Sequence, residues 1–325
     1  IHDLIKRLKN HPTASLVAIC EEHAESRNQL KATELGAPLF ESYDCMLETV
    51  PCDAIGIGDY YGKRGSVAIA ALKRGRHVIS DKPLCTSLQE LDTIEKLALD
   101  KKLCVGCQLD LRSSGLFVTV RRLIRAGEIG EVHAISFGGQ HPLLYGKRPG
   151  WYFEEGKHGG TINDIAVHAV DIIPWLTGLA IVQVNSARNW NARLKSVPHF
   201  RDAAQMMLTL ENGGGVLGDV SYLAPDSLGY GLPQYWRFTL WGAEGVLETS
   251  PKMKAVFLYK NGKDKALEFL PDQPSPDNYL ESFLRDIRGE RNGLELTTAA
   301  VLRSSRVTLR IQEAADKGLT NQSIC

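Results

Sequence analysis

In the first third of the chain, short apolar runs alternate with segments whose apolar residues recur every three or four positions. The runs predict β-strands, and the periodic segments predict amphipathic helices. Strands are predicted at 15–20, 53–58, 76–80 and 103–107, and helices at 1–8, 24–35, 65–74 and 87–101. Strands that alternate with helices pair in parallel, so we expect a doubly wound α/β sheet here.

The pattern changes after about residue 109. Strands are predicted at 131–137, 182–187, 204–211, 215–222, 235–242, 246–249, 255–259 and 266–270, and helices at 115–126, 277–288 and 297–317. The pairs Asn212-Gly213 and Asn261-Gly262 are typical of β-hairpin turns. We therefore divide the chain into an α/β domain at 1–108 and an α+β domain at 109–325, the latter with a large, open, mostly antiparallel sheet.

The segment GGTINDIAVHAVD places two glycines before a predicted helix. Thr161 or Asn163 is expected to cap this helix. Residues three and four apart share a helical face, so Asp164, His168 and Asp171 should form one polar stripe. A carboxylate one turn from an imidazole suits proton transfer. The alternative is that His168 only caps a packed helix.

The composition of the chain limits the classes of function and partner that it can have. The chain has 325 residues, enough for two domains, with 38 basic and 38 acidic residues. This balance does not favour nucleic acid or a membrane surface as a partner, and no apolar run has membrane-spanning length. The seven scattered cysteines suggest a reducing compartment, so a cytoplasmic location is expected.

Carboxylates follow the predicted strand at 15–20. In a dinucleotide-binding sheet, a carboxylate at this place accepts hydrogen bonds from ribose hydroxyls. Glu21 is expected to do so, and Glu22 to repel a 2′-phosphate, which favours NAD over NADP; the alternative is that both only solvate a strand end. The fingerprint G-x-G-x-x-G is missing, since Gly56-x-Gly58 lacks the third glycine at the right spacing. We expect the first strand and the glycine loop to precede Ile1.

Three motifs together resemble the Gfo/Idh/MocA oxidoreductases, which include relatives of glucose–fructose oxidoreductase and inositol dehydrogenase. They are Asp81-Lys82-Pro83, the run RAGEIGEV and the segment GGTINDIAVHAVD. The resemblance implies an NAD(P)-binding Rossmann domain followed by an open-sheet domain. It also implies that Lys82, Asp164 and His168 serve the chemistry.

Several positions depart from the family pattern. Asp81 replaces the Glu of the E-K-P motif, Tyr60 replaces the proline of T-P-x-x-x-H, and Arg64 replaces its histidine. Either Asp110 or Arg112 stands where the family has an arginine. With these replacements, we expect the cofactor to contact Glu21, Gly58, Asp59, Tyr60, Arg64, Asp81, Lys82 and Gln108.

Hydride transfer from a secondary alcohol needs a base and a positive partner for the developing alkoxide. His168 can be the base, Lys82 can stabilise the oxyanion, and Asp164 can orient the substrate or hold Lys82. We expect the substrate to contact Arg148, Trp151, Tyr152, Asp164 and His168, with the two aromatic rings lining a sugar pocket. Core packing explains these rings equally well.

Metal and redox chemistry are disfavoured. Asp164, His168 and Asp171, with His141 or His158, do not form a dense set of ligands, so no metal is expected. Cys104 and Cys107 lie three apart on a strand and face opposite sides, so they are expected to be buried thiols.

The leading hypothesis is an NAD-dependent dehydrogenase of a secondary hydroxyl of a sugar, glycoside or cyclitol. One alternative is a glycosidase or lyase that uses transient oxidation, and another is a dinucleotide-sensing regulatory protein. The open face of the second sheet, with Trp236, Phe238 and Leu240 or their alternates, predicts a homodimer or homotetramer. A cis bond between Lys82 and Pro83 is also expected.

Overall fold

The computed structural model describes residues 1–31, 36–290 and 296–324. Its α-helices are α1 His2–Leu8, α2 Ala24–Lys31, α3 Tyr43–Thr49, α4 Tyr61–Lys73, α5 Leu88–Lys101, α6 Gly115–Arg125, α7 Val167–Thr177, α8 Tyr279–Ile287 and α9 Thr298–Lys317. Its strands are β1 Ile19–Cys20, β2 Leu39–Phe40, β3 Ala54–Ile57, β4 His77–Ser80, β5 Val105–Cys107, β6 Val132–Pro142, β7 Ile181–Trp190, β8 Ala203–Leu210, β9 Gly215–Ala224, β10 Arg237–Gly242, β11 Gly245–Thr249, β12 Val256–Lys260, β13 Leu267–Phe269 and β14 Thr320–Ser323.

The N-terminal region is a Rossmann-type arrangement of parallel strands, as predicted. Strand β1 pairs with β2, and β3, β4 and β5 pair in that order, all in parallel. Two elements were not predicted, β2 and α3, and helix α4 begins at Tyr61 rather than at residue 65. The predicted strand at 15–20 is reduced to β1. The predicted end of the helix at 24–35 lies outside the described residues.

The second region carries a nine-stranded sheet in the order β13-β12-β11-β10-β6-β9-β8-β7-β14. Neighbouring strands are antiparallel except for the parallel pair β6–β9. The two hairpins predicted at Asn212-Gly213 and Asn261-Gly262 are confirmed, since they join β8 to β9 and β12 to β13. The large, mostly antiparallel sheet is therefore confirmed.

The two faces of this sheet differ. One face packs against α6, α7 and α9, and it buries Trp236, Phe238 and Leu240. The opposite face carries exposed apolar side chains, namely Met207, Leu217, Trp241 and Tyr259. Alternate residues of a strand point to opposite faces, so in β10 the buried Phe238 and Leu240 face the helices and Trp241 lies on the outer face.

A second core lies between the parallel strands and their helices. Residues of α8 and α9, among them Phe283 and Val301, complete it, so the C-terminal helices pack on the N-terminal region. The domain boundary at residue 108 stays a prediction. Among the described residues, no helix combines the length and the apolar character needed to span a bilayer.

Candidate functional site

The central element is a π-helical turn, Ile162–Ala166, which leads directly into α7. Gly159 and Gly160 precede it with φ angles of +76° and +97°. A Cβ at Gly159 would lie 2.3 Å from Cγ2 of Thr86, and one at Gly160 would lie 2.3 Å from Cδ of Gln312. Only glycine satisfies both the backbone angle and the close approach, so the turn sits tightly against the loop that follows β4.

The predicted cap of this helix is wrong. The main-chain N–H groups of Ile162 and Asn163 donate to Oε1 of Gln312 on α9, at 3.1 and 3.2 Å. The Asn163 side chain instead donates to the carbonyl of Cys85 at 3.0 Å. The Thr161 hydroxyl also donates to a main-chain carbonyl of another segment. The side chains near the turn therefore tie it to its neighbours and leave capping to a distant glutamine.

Lys82 and Asp164 meet at this junction. The Lys82-Pro83 peptide bond is cis, as predicted. Nζ of Lys82 lies 2.6 Å from Oδ1 and 2.8 Å from the carbonyl oxygen of Asp164. The side chain of Lys82 is 21% exposed and that of Asp164 is 1% exposed. The ion pair is thus buried on its acidic side and open on its basic side.

The second carboxylate oxygen of Asp164 is also fully engaged. Oδ2 accepts hydrogen bonds from the hydroxyls of Tyr152, at 2.7 Å, and of Tyr222, and it lies 3.7 Å from Nε2 of His158. Burial alone would raise the pKa of Asp164, but Lys82 and His158 hold it well below its ordinary range. Asp164 is therefore a permanent anion that anchors Lys82.

His168 lies on the first turn of α7, half-buried, with its ring centroid 5.3 Å from that of Trp236. Its Nδ1 atom is buried and has no hydrogen-bond partner among the described residues. Burial lowers the pKa of His168 well below its ordinary value, and Lys82 and His141 lower it further. The ring is neutral at pH 7.

Asp171 does not join Asp164 and His168, so that part of the predicted polar stripe is wrong. Its carboxylate pairs with Arg112 at 2.6 Å and accepts a hydrogen bond from Ser304 at 2.9 Å. Within the described part of the chain, no cluster of three or more His, Cys, Asp or Glu residues could hold a metal ion. Cys107 is buried, and burial raises the pKa of its thiol to about 12, while Cys104 is only half-buried.

Aromatic rings from both regions line the approach to Asp164. Tyr61, at the start of α4, lies 5.1 Å from Trp151 and 5.7 Å from Tyr152, measured between ring centroids. The ring of Tyr152 packs on His158 at 4.5 Å. Tyr60 lies beside Trp151 at 6.3 Å. The rings predicted to form a sugar pocket are thus brought together, although Tyr152 itself is buried.

The residues expected to bind the cofactor lie at the carboxyl ends of the parallel strands. Glu21 follows β1, Gly58 and Asp59 follow β3, Asp81 and Lys82 follow β4, and Gln108 follows β5. Among the described residues, the carboxylate of Glu21 accepts one hydrogen bond, from the N–H of His23 at 2.9 Å. Because a carboxylate has about four acceptor positions, Glu21 keeps capacity for a ribose diol, and these residues fit a dinucleotide.

Glu22 differs from its neighbour. It forms an ion pair with Lys63, which is also 3.3 Å from Asp59, and it accepts a hydrogen bond from the N–H of Tyr43. The hydrogen bond from Lys63 lowers the pKa of Glu22. The charge of Glu22 is therefore paired with that of Lys63, and repulsion of a 2′-phosphate is expected mainly from Glu21.

Arg64 is buried and its donors are directed to the main chain. Nε donates to the carbonyl of Asp59 at 2.8 Å, and Nη1 donates to the carbonyls of Lys82 and Pro83. These contacts hold the turn that presents Lys82. A direct contact of Arg64 with the cofactor stays a prediction.

Two family models match the chain in agreement with this geometry. One, described as an oxidoreductase family with an NAD-binding Rossmann fold, matches residues 2–109, and the other, described as a Gfo/Idh/MocA C-terminal domain, matches residues 117–248. The chain belongs to the Gfo/Idh/MocA oxidoreductase family. It is therefore an NAD(P)-dependent oxidoreductase, and NAD is its cofactor.

Several named proteins are similar to this Gfo/Idh/MocA member. A scyllo-inositol 2-dehydrogenase (NAD(+)) of Bacillus subtilis is 25% identical over 276 residues, 80% of this chain and 73% of that protein. A levoglucosan dehydrogenase of Pseudarthrobacter phenanthrenivorans is 25% identical over 230 residues, 64% of this chain and 55% of that protein, so the chain spans about half its length. An NAD-binding protein from Listeria innocua has the same fold, with a TM-score of 0.80, 18% identity and coverage of 99% and 94% of the two chains.

Sequence reasoning missed three residues of the site. Tyr222 and His158 bind or approach Asp164, and Gln312 caps the turn that carries it. Tyr222 alternates with apolar residues along β9, so its pattern indicated only a core position. The sequence suggests His158 only as a candidate metal ligand, and Gln312 lies on a helix some 150 residues away. No local signal identifies any of them.

Proposed function

We propose that this protein oxidises a secondary hydroxyl of a sugar, glycoside or cyclitol by hydride transfer to NAD. The observation that supports the proposal is the contact of Lys82, from the loop after β4, with Asp164, from the turn before α7. His168 follows on the first turn of α7, and burial together with the charge of Lys82 lowers its pKa. In this proposal Lys82 supplies the cation and His168 the neutral imidazole, while the buried carboxylate of Asp164 holds Lys82 in place. This is the set of groups that alcohol oxidation requires.

Bound NAD would supply the hydride acceptor. Glu21 would hold its adenosine ribose, and Gly58, Asp59, Tyr60, Asp81 and Gln108 would contact the rest of the dinucleotide as it passes over the strand ends. Lys82 belongs to this edge as well as to the substrate site. The nicotinamide is therefore expected on the Lys82 side of the cleft.

Lys82 stabilises the substrate oxygen. An ammonium group has three donors, and Asp164 occupies Nζ of Lys82 with two contacts, to Oδ1 and to the carbonyl oxygen. The third N–H is free to donate to the hydroxyl oxygen, on the exposed side of the lysine. As the hydroxyl loses its proton, negative charge develops on that oxygen, and a fixed ammonium stabilises it.

His168 receives the hydroxyl proton. Its ring is neutral at pH 7, as a base must be, and its buried Nδ1 leaves Nε2 as the nitrogen that can reach the cleft. Burial and the charge of Lys82 disfavour the protonated ring. The proton is therefore held at Nε2 only briefly and passes to solvent through the exposed part of the side chain.

The named relatives support the substrate class, because one is a scyllo-inositol dehydrogenase and another a levoglucosan dehydrogenase. The test is a panel of hexoses, glycosides and inositols with NAD, followed at 340 nm. Growth of absorbance with any of them supports the proposal. Glycoside cleavage without net NADH would favour transient oxidation, and NAD binding without turnover would favour a sensor.

We also propose that the outer face of the large sheet forms the contact of a homodimer or homotetramer. The face exposes Met207, Leu217, Trp241 and Tyr259, each at least 40% accessible. Exposed apolar patches of this kind on a sheet commonly mark protein contacts.

A further inference from the structure

Arg148 lies next to the site and is half-buried. Its Cζ atom is 4.6 Å from the ring centroid of Tyr152 and 5.5 Å from that of Tyr222. Both tyrosines donate hydrogen bonds to Asp164. A single aromatic ring therefore connects the guanidinium with the carboxylate that anchors Lys82.

The guanidinium has a donor to spare. Nε of Arg148 donates to the carbonyl of Leu143 at 2.9 Å, and Nη2 donates to the carbonyl of Pro142 at 2.9 Å and to the hydroxyl of Tyr230 at 3.2 Å. Nη1 makes no hydrogen bond with any described residue. The Tyr230 hydroxyl accepts from Arg148, so its own O–H is also free to donate.

The charge of Arg148 has no counterion in the described part of the chain. Lys82 is matched by Asp164, and Arg112 is matched by Asp171, but Arg148 forms no ion pair. Burial keeps the nearby His141, His158 and His168 neutral, so Arg148 has no charged histidine beside it. A half-buried guanidinium that has no carboxylate beside it among the described residues and keeps Nη1 as a spare donor is a suitable position for a bound anion.

We propose that the substrate is an acidic sugar or cyclitol whose carboxylate binds Nη1 of Arg148 and the hydroxyl of Tyr230. This inference rests on the proposed dehydrogenase function and specifies its substrate class. Two adjacent donors match the two oxygens of a carboxylate. A single arginine without a carboxylate partner within the described ranges matches the single charge of a carboxylate. The oxidised hydroxyl would then lie between Lys82 and His168, beyond the ring of Tyr152.

The first experiment compares kcat/KM of the wild-type enzyme with NAD toward matched pairs of substrates. D-Glucuronate is paired with D-glucuronamide, and D-galacturonate with D-galacturonamide, because each amide has the size of its acid without the charge. We expect the acid to be preferred by roughly 10- to 100-fold, the value of a hydrogen bond to a charged group. The preference should decrease as ionic strength rises.

The outcomes separate this inference from the function on which it rests. Oxidation of neutral sugars or inositols with no preference for the acids would overturn the carboxylate site and leave the dehydrogenase intact. A preference for sugar phosphates over the acids would also overturn it. Failure to oxidise any sugar, cyclitol or acid would overturn the proposed function itself.

Variants locate the preference. Arg148→Gln should raise KM for the acid by roughly 10- to 100-fold and bring the acid-to-amide ratio close to one, while Arg148→Lys should keep part of the preference. Arg122→Gln is the matched control, because Arg122 lies on α6 and pairs with Asp272, and the acid-to-amide ratio of this variant should not change. If Arg148→Gln does not fold, Tyr230→Phe, at a residue 39% exposed, should still reduce the ratio several-fold. An unchanged ratio in both, or a rise in the KM for NAD alone, contradicts the proposal.

Discussion

Asp164→Asn tests whether the buried carboxylate acts in turnover or only in folding. The substitution keeps the volume and one acceptor oxygen but removes the charge that holds Lys82. Asp164 accepts hydrogen bonds from Lys82, Tyr152 and Tyr222, and its side chain is 1% exposed. We therefore expect kcat to fall by roughly two orders of magnitude, because the ammonium is no longer held toward the substrate oxygen.

The cost in stability can be estimated from the same contacts. Removing one partner of a fully buried ion pair costs about 3–5 kcal/mol, but Lys82 can still reach water, so we expect about 2 kcal/mol. Asp171→Asn is the matched control. Asp171 lies on α7, which follows directly on the turn of Asp164. It is also buried and pairs with Arg112, whose side chain is only 11% exposed. Its loss should cost at least as much in free energy of unfolding.

The assay measures urea unfolding by circular dichroism and kcat at 340 nm for both variants. Both variants should have a lower free energy of unfolding, but only Asp164→Asn should have a lower kcat when the rate is expressed per folded enzyme. If Asp164→Asn kept kcat within about threefold of the wild type, or if the two variants were slowed alike, the role given to Asp164 would be wrong.

Three further predictions follow from other parts of the structure. The wild type should prefer NAD to NADP by at least about tenfold in kcat/KM, and Glu21→Ala should narrow the gap; equal use of NADP by the wild type would refute this. Burial lowers the pKa of His141 from 6.5 to about 3. The unfolded chain therefore binds this proton first, so the contribution of His141 to stability is complete above pH 6.5 and should decline toward pH 3 by about 1.4 kcal/mol per pH unit. In His141→Phe, Tm should fall less steeply as the pH decreases. A slope of Tm against pH equal to that of the wild type would contradict this prediction. Light scattering should show a dimer or tetramer that Trp241→Asp dissociates; a wild-type monomer at micromolar concentration would exclude the proposed contact.

The elements that carry the site could be predicted from sequence where a signal is local. The apolar run before Asp81-Lys82-Pro83 predicted a strand whose carboxyl end presents Lys82, and the two glycines before Asp164 predicted a helix start. The structure brings these two segments together. The short elements β2 and α3 were missed because two paired residues and two helical turns leave too little periodicity to recognise.

What sequence could not predict depends on contacts between distant segments. The cap of the π-helical turn comes from Gln312, so the local candidates Thr161 and Asn163 misled the prediction. The stripe that included Asp171 assumed regular α-helical geometry through the whole segment. A π-helical turn has wider spacing, and Arg112 together with Ser304 holds Asp171 elsewhere.

The most direct test of the account is the kcat of Lys82→Ala and His168→Ala on the best polyol or sugar acid, measured as NADH formation with saturating NAD. Retained NAD binding, followed by fluorescence titration, serves as the control for folding. We predict that each variant binds NAD and loses roughly two to four orders of magnitude in kcat. A variant that binds NAD and turns over near the wild-type rate would contradict the role assigned to that residue.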